Sequence, residues 1–404
     1  MKLISSVLLM NFIICIMLLN AQGKTDEAID AKLWEKALKI TREAIVVDTH
    51  CDTPMKMLET GLDIGHRTDK SEVDLIRMKE GEVSAAFFAI FSPNDSDQKN
   101  PSRKVLEMID EIYQQAEKYP NLAEMAFSPE DILSIHQKDK RAMLIGIENG
   151  GACEGSLRLL RDYYRLGVRY VTLTHRNNND ICDSSTEEKP RWNGLSNFGK
   201  EVVKEMNRLG MIIDVSHISD KSFYDVLELS TAPVMASHSC VRALCNVPRN
   251  MSDDMIKALA KKGGVIQINM FSGFLDYHFY QKAEAVRRKM KPESDVLKEK
   301  YKNDPVGYTT AVIDLWKSQA PPPPPIDTLI NHIDYVVKLV GADYVGLGSD
   351  FDGAGSFPEG IKDISNFPLI TYHLLKRGYS EENIKKILGG NFMRVFKQVK
   401  GSRL

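Results

Sequence analysis

A single (β/α)8 barrel of the TIM type is the fold that this 404-residue sequence predicts. Three observations carry it. Eight short apolar runs, rich in β-branched residues, recur with little polar alternation, as parallel strands covered on both faces do. Amphipathic helical stretches lie between them. Those helices stop at a glycine just before the next strand, so βα units repeat. Length alone also admits two or three domains, but one barrel with insertions fits this size.

The predicted strands are 44–48, 83–88, 142–147, 168–174, 211–215, 233–237, 264–269 and 344–349. Helices are expected over about 155–166, where Leu157, Leu160, Tyr163 and Tyr164 recur at helical spacing, over 197–209, and from Ser252 through Met255, Leu259 and Ala260. Gly167, Gly210 and Gly263 end them. One stretch breaks the rhythm. Residues 276–320 are rich in Lys, Arg and Glu and run into Pro321–Pro325. They read as a helical insertion of about 276–325 before the last strand, at the active-site mouth or an oligomer contact, closed by a stiff proline spacer.

The first 21 residues read as a cleaved export signal: Lys2, an apolar run from Ile4 to Leu19, then small Ala21. The run is short for a membrane span, which needs ~20 apolar residues. The barrel then occupies 22–404, and the mature chain is expected in the periplasm or outside the cell. Formal charge is −2, with no basic excess to neutralise phosphates, so nucleic acid is excluded as the main partner. Cys51, Cys153, Cys182, Cys240 and Cys245 follow the signal. Five is odd, so not all can pair within one chain; one or two bridges are possible, with unreadable pairing. Asn94 and Asn250 begin formal glycosylation sites.

The chemistry is concentrated at strand ends, where barrel enzymes build their sites. Four of the nine histidines, His50, His175, His217 and His238, sit at or just past a predicted strand. In Asp48-Thr49-His50-Cys51-Asp52, strand alternation points His50 and Asp52 the same way, so they suit one metal ion or an ordinary polar strand end. Glu148 ends an apolar strand, where an unpaired carboxylate is costly. Metal ions or the amides of the following glycine turn would satisfy it. Ser216-His217 and Ser237-His238 end neighbouring strands, at matching heights for a second metal. Asp350 follows the last strand, where a carboxylate can move protons. Asp352-Gly353 reads as a turn.

The motifs Val47-Asp48-Thr49-His50-Cys51-Asp52-Thr53-Pro54, Gly146-Ile147-Glu148-Asn149-Gly150, Val168 to His175, Asp214-Val215-Ser216-His217, Ser237-His238-Ser239, Pro248-Arg249-Asn250, Gly348 to Gly353 and Gly389 to Val395 occur in order from about Ile45 to Phe396. As a set they resemble the membrane (renal) dipeptidase family, peptidase family M19, whose barrel is similar to the metal-dependent amidohydrolases. The resemblance implies two Zn2+ per chain: His50 and Asp52 on one, His217 and His238 on the other, Glu148 bridging. It further implies His175 over the substrate carbonyl, Arg249 on the substrate's C-terminal carboxylate, and Asp350 as acid/base. The expected reaction is hydrolysis of dipeptides by a metal-bridging hydroxide. The competing readings are another binuclear amidohydrolase, acting on lactams or acylated amino acids, and a non-catalytic exported zinc-binding protein. The family resemblance also admits a homodimer. The ending Lys400-Gly401-Ser402-Arg403-Leu404 carries no apolar tail, so no lipid anchor is expected.

Overall fold

The computed structural model describes residues 29–92 and 101–401. The export signal expected over 1–21 and Asn94 lie outside them. The chain divides into two compact units, one ending at Lys36 and one running from Ala37 to Leu404 that holds the whole sheet.

The strands are β1 (Val47–Cys51), β2 (Ala85–Phe91), β3 (Ala123–Met125), β4 (Arg141–Glu148), β5 (Val168–Thr172), β6 (Ile212–Asp214), β7 (Met235–Ser239), β8 (Val265–Asn269) and β9 (Val345–Gly348). All pairings between them are parallel, and the order is β1-β2-β4-β5-β6-β7-β8-β9. A bridge from Cys51 to Phe351 brings the segment after β9 against β1 and nearly closes the barrel. The fold is therefore the predicted TIM-type barrel of eight parallel strands. β3 is an addition: it pairs only with β4, off the main path. Three residues are too few to show a period. β1 also lies three residues later than predicted, because a helix, Ala31–Glu43, takes Ala44's neighbourhood. His50 is thus inside the strand and Asp52 just past it.

Burial explains why the runs became strands. Every residue of β4, β7 and β8 is buried. Inside the barrel, Val47, Phe87, Leu144, Tyr170, Met235 and Val265 share a core with Phe392, Val395, Phe396 and Val399 of the helix Asn391–Gly401. Asn391 ties that helix to the start of β9, its Nδ2 donating to the carbonyls of Ala342 (2.7 Å) and Val345 (2.8 Å). The predicted helices are observed at Leu157–Arg165, Asn197–Leu209 and Asp253–Lys261, and the glycines after them have positive φ. Ser196 and Ser252 cap the second and third by accepting the amides of Gly199 and Met255.

The insertion is helical, as expected: Tyr277–Lys300 and Pro305–Gln319, followed by the prolines in neither helix nor strand. It docks on the loops after β8 and β9. Trp316 Nε1 donates to the Gly355 carbonyl at 3.1 Å, and the Arg287 guanidinium lies 5.8 Å from the Phe271 ring and 5.2 Å from the Trp316 ring.

Two possibilities left open by the sequence are closed by the fold. Cys51, Cys153, Cys182, Cys240 and Cys245 are all free and buried, so the one or two bridges do not form among the described residues. They pack as small apolar groups: the Cys51 thiol points to the Phe87 carbonyl and the Cys240 thiol to that of Asn269. The Asn250 amide is buried and donates to the carbonyls of Cys245 and Phe274, both at 2.8 Å, so it is no glycan acceptor in the folded chain.

His332, on the helix Asp327–Val340, fastens two site-bearing loops. Its Nδ1 accepts the Val241 N–H at 3.0 Å and its Nε2 donates to the Leu275 carbonyl at 2.9 Å. Only neutral imidazole can do both, and burial holds its pKa down to about 4. Between about 4 and the ordinary ~6.5 the unfolded chain binds a proton that the folded chain does not. The contribution is therefore complete above about pH 6.5 and is lost as pH falls towards 4, up to ~3 kcal/mol at ~1.36 kcal/mol per unit. Urea unfolding from pH 7 to pH 4 is expected to show a shallower loss of stability in His332→Gln than in the parent. Parallel curves contradict this.

Candidate metal centre and active site

Two buried aspartates square off the strand ends. Asp48 accepts the Ser349 amide at 2.8 Å and hydroxyl at 2.5 Å, locking β1 to the end of β9. Asp214 accepts the Ser237 amide at 2.8 Å and hydroxyl at 2.6 Å, and the Ser216 amide at 3.0 Å, locking β6 to β7. Buried carboxylates so fully bonded are rigid posts. A histidine follows each, His50 two residues on and His217 three residues on. His217 adopts φ 69°, a left-handed turn that swings its ring inward.

The side chains converge on Glu148 at the end of β4. Its Oε1 lies 2.9 Å from His217 Nε2, 3.2 Å from His238 Nε2, 3.7 Å from His50 Nε2 and 3.8 Å from His175 Nε2. His50 Nε2 is 3.6 Å from Asp52 Oδ2, and His217 Nε2 is 2.9 Å from His238 Nε2. Donor atoms lie within 4.8 Å of one another in three groups: His50, Asp52 and Glu148; Glu148, His175 and His217; His50, His238 and Asp350. Six of the eight predicted site residues thus share donor groups with Glu148 or its partners, as does Glu148 itself. Arg249 stands beside them: its Nη2 donates to the His238 carbonyl at 2.9 Å, and its guanidinium lies 5.4 Å from the Phe274 ring.

The arrangement suits a cation. In two of these histidines the other ring nitrogen is bonded: His50 Nδ1 meets the Tyr170 hydroxyl at 2.9 Å and His238 Nδ1 the Ser237 hydroxyl at 2.7 Å. That leaves Nε2 facing the cluster, and buried His50 Nε2 has no hydrogen-bond partner. Tyr170 reaches His50 only because Gly146 lies beneath its ring, where a Cβ would come within 2.1 Å of Tyr170 Cζ. Electrostatics agree. Burial pushes the His217 and His238 imidazoles down, and the Arg249 charge adds to it, so both are neutral ligand types. Burial lowers His175 to about 4. Burial opposes charge on His50, but Glu148 and Asp52 more than reverse this and lift it to about 10. Burial and the Glu148 charge raise Asp52 to about 8. Burial works against the Glu148 carboxylate, yet the surrounding imidazoles hold it well below the usual range. Carboxylates this close and this dry call for positive charge between them.

The sequence reading missed three supports. Tyr170 and Ser237 orient histidines, and Asn269, at the end of β8, donates to Asp350 Oδ2 at 2.8 Å. Asn269 was findable: it ends a predicted strand, as the histidines do. Asp352 is in the expected turn, at φ 68°, but its carboxylate is buried, accepting Thr53 Oγ1 and Ser71 Oγ (both 2.6 Å), Lys56 Nζ (2.7 Å) and the Glu72 amide (2.9 Å).

A parallel barrel with imidazoles and carboxylates gathered at the C-terminal ends of its strands defines a hydrolase of the metal-dependent barrel class. Comparison with known proteins narrows the class. Residues 34–403 match the model of the membrane dipeptidase family, peptidase family M19. The chain is 32% identical to Dipeptidase 3 of Mus musculus over 93% of its own length and 68% of the relative's. It superposes on the probable dipeptidase PvdM from Pseudomonas aeruginosa with TM-score 0.79 and 29% identity, covering 92% of this chain and 99% of that one. A metallo peptidase from Rhodobacter sphaeroides, solved with a phosphinate mimic of the dipeptide L-Ala-D-Ala, shares the fold at TM-score 0.72 and 22% identity, over 88% of this chain and 99% of that one. The chain belongs to the membrane dipeptidase family and is an enzyme of the dipeptidase class, and metal use goes with that family.

Proposed function

We propose that this chain is an exported zinc dipeptidase that holds two zinc ions, His50 and Asp52 on one, His217 and His238 on the other, with Glu148 bridging. The observation that carries this reading is the convergence of donors from the ends of β1, β6 and β7 on one carboxylate, Glu148 at the end of β4, whose two oxygens can be shared between two ions. Bound zinc supplies an activated water, lowering its pKa from ~15.7 to ~7, and a Lewis acid for the carbonyl.

The chain's own residues do the rest. Asp350 takes the proton of the attacking water and delivers it to the leaving nitrogen, so hydrolysis ends with a free amine and a carboxylate. His175, kept neutral by burial, donates its N–H to the oxygen on which charge develops. Arg249 has Nε and Nη1 buried with no partner, so donors remain on it for a substrate carboxylate. That pair measures length: it favours substrates with one residue beyond the scissile bond. The apolar run expected to export the chain lies outside the described residues. Among the described residues no helix is long and apolar enough to cross a membrane.

The test is hydrolysis of L-Ala-D-Ala and L-Ala-L-Ala by protein stripped with chelator and reloaded with zinc. Activity lost on stripping and restored by about two zinc equivalents supports the reading; full activity without metal sinks it. Arg249→Ala is expected to raise KM for both dipeptides roughly 10- to 100-fold, the worth of hydrogen bonds to a charged group, with zinc content unchanged. Parallel loss of zinc would make Arg249 structural instead.

A further inference from the structure

Asp350 makes one side-chain hydrogen bond among the described residues, and it is to Asn269. Asn269 ends β8 and is fully buried. Its amide cannot turn round. Oδ1 accepts the Phe271 N–H at 2.6 Å, and a backbone N–H can only donate, so the NH2 end must face Asp350 Oδ2, at 2.8 Å. Phe271 is itself wedged, its ring edge-on to Phe274 at 4.9 Å and the Arg287 guanidinium 5.8 Å from it. The main chain of Asp350 is held separately: φ is 63°, and its N–H donates to the His50 carbonyl at 3.0 Å. The main chain alone does not set the carboxylate, whose terminal torsion is broad and two-fold.

We infer that Asn269 is a positioning residue for the reaction: it binds Oδ2 of Asp350 from the wall of the barrel and so presents Oδ1 to the cluster of His50 and His238. This rests on the reading of Asp350 as acid/base. Among the described residues no other hydrogen bond holds that carboxylate, and a misplacement of ~1 Å at a reacting group costs roughly 10²-fold. Asn269 touches neither substrate nor water in this scheme; it acts through Asp350.

Two variants test it in zinc-loaded enzyme with L-Ala-L-Ala. Asn269→Asp keeps the shape and the acceptor for Phe271 but sets a carboxylate oxygen against Oδ2 of Asp350. Asn269→Ser removes the clamp and leaves room for water. The expected result is a kcat lowered roughly 10²-fold in the first and less in the second, with KM within about threefold of the parent and zinc content unchanged. A folded, zinc-loaded variant of either kind with kcat within about threefold of the parent overturns the inference, as does a fall of KM affinity or zinc content in step with kcat. Asp350→Asn is measured alongside. If it turns over normally, the acid/base reading fails; if it is inactive while both Asn269 variants are normal, only the role of Asn269 fails.

Discussion

Asp350→Asn is expected to lower kcat by about 10²–10⁴-fold, the range that general acid–base groups supply, while zinc content and fold stay as in the parent. The structure makes this a clean substitution. Asp350 sits at φ 63°, a conformation asparagine tolerates about as well as aspartate, so the backbone is not disturbed. Its N–H bond to the His50 carbonyl survives, and the new amide can turn its oxygen to Asn269. What is lost is the ability to accept a proton and release it. Steady-state turnover with L-Ala-D-Ala, set beside zinc quantified by mass spectrometry, checks it. Turnover within a few-fold of the parent would remove Asp350 from the proton path.

The second large effect is expected from a residue with no side chain. A Cβ added at Gly353 would lie 2.0 Å from Asp52 Oδ2 and 3.0 Å from Asp350 Oδ1. The atom in the way is the end of a side chain, so in folding terms it can swing aside cheaply. In functional terms it cannot, because that carboxylate belongs to the His50–Asp52–Glu148 group. The turn has little freedom to retreat, since Asp352 beside it is clipped by Thr53, Lys56, Ser71 and Glu72. Gly353→Ala is therefore expected to weaken metal binding and activity by about 10–100-fold, as loss of a supporting contact typically does, with the melting temperature of the metal-free protein within a few degrees of the parent. Competition with a zinc chelator reads the affinity. Unchanged affinity together with unchanged activity would mean that Asp52 is not held where it is needed.

Much of the barrel was legible because parallel strands covered on both faces announce themselves as unbroken apolar runs, and the helices between them end in glycine. The site was legible for a related reason. Metal-type residues are conspicuous after such runs: Glu148 after Leu144-Ile145-Gly146-Ile147, His217 after Ile212-Ile213. What stayed hidden depends on contacts between distant segments. Nothing local marks Tyr170 as the partner of His50, since the contact spans 120 residues and needs Gly146 below it. Asp352 reads as a turn residue because its four donors lie on the other side of the barrel seam. The single thiols gave no sign of their pairing, and in the fold all five are free and buried. Asn269 was overlooked because an amide is not a metal ligand, although its place at the end of β8 is the same as that of Glu148 at the end of β4.

Anomalous diffraction from crystals of the zinc-loaded protein, recorded across the zinc absorption edge, would show whether a pair of zinc ions shares one carboxylate. Two peaks are expected flanking the Glu148 carboxylate, one beside His50 and Asp52 and the other beside His217 and His238. A single peak, or zinc bound away from Glu148, would contradict it.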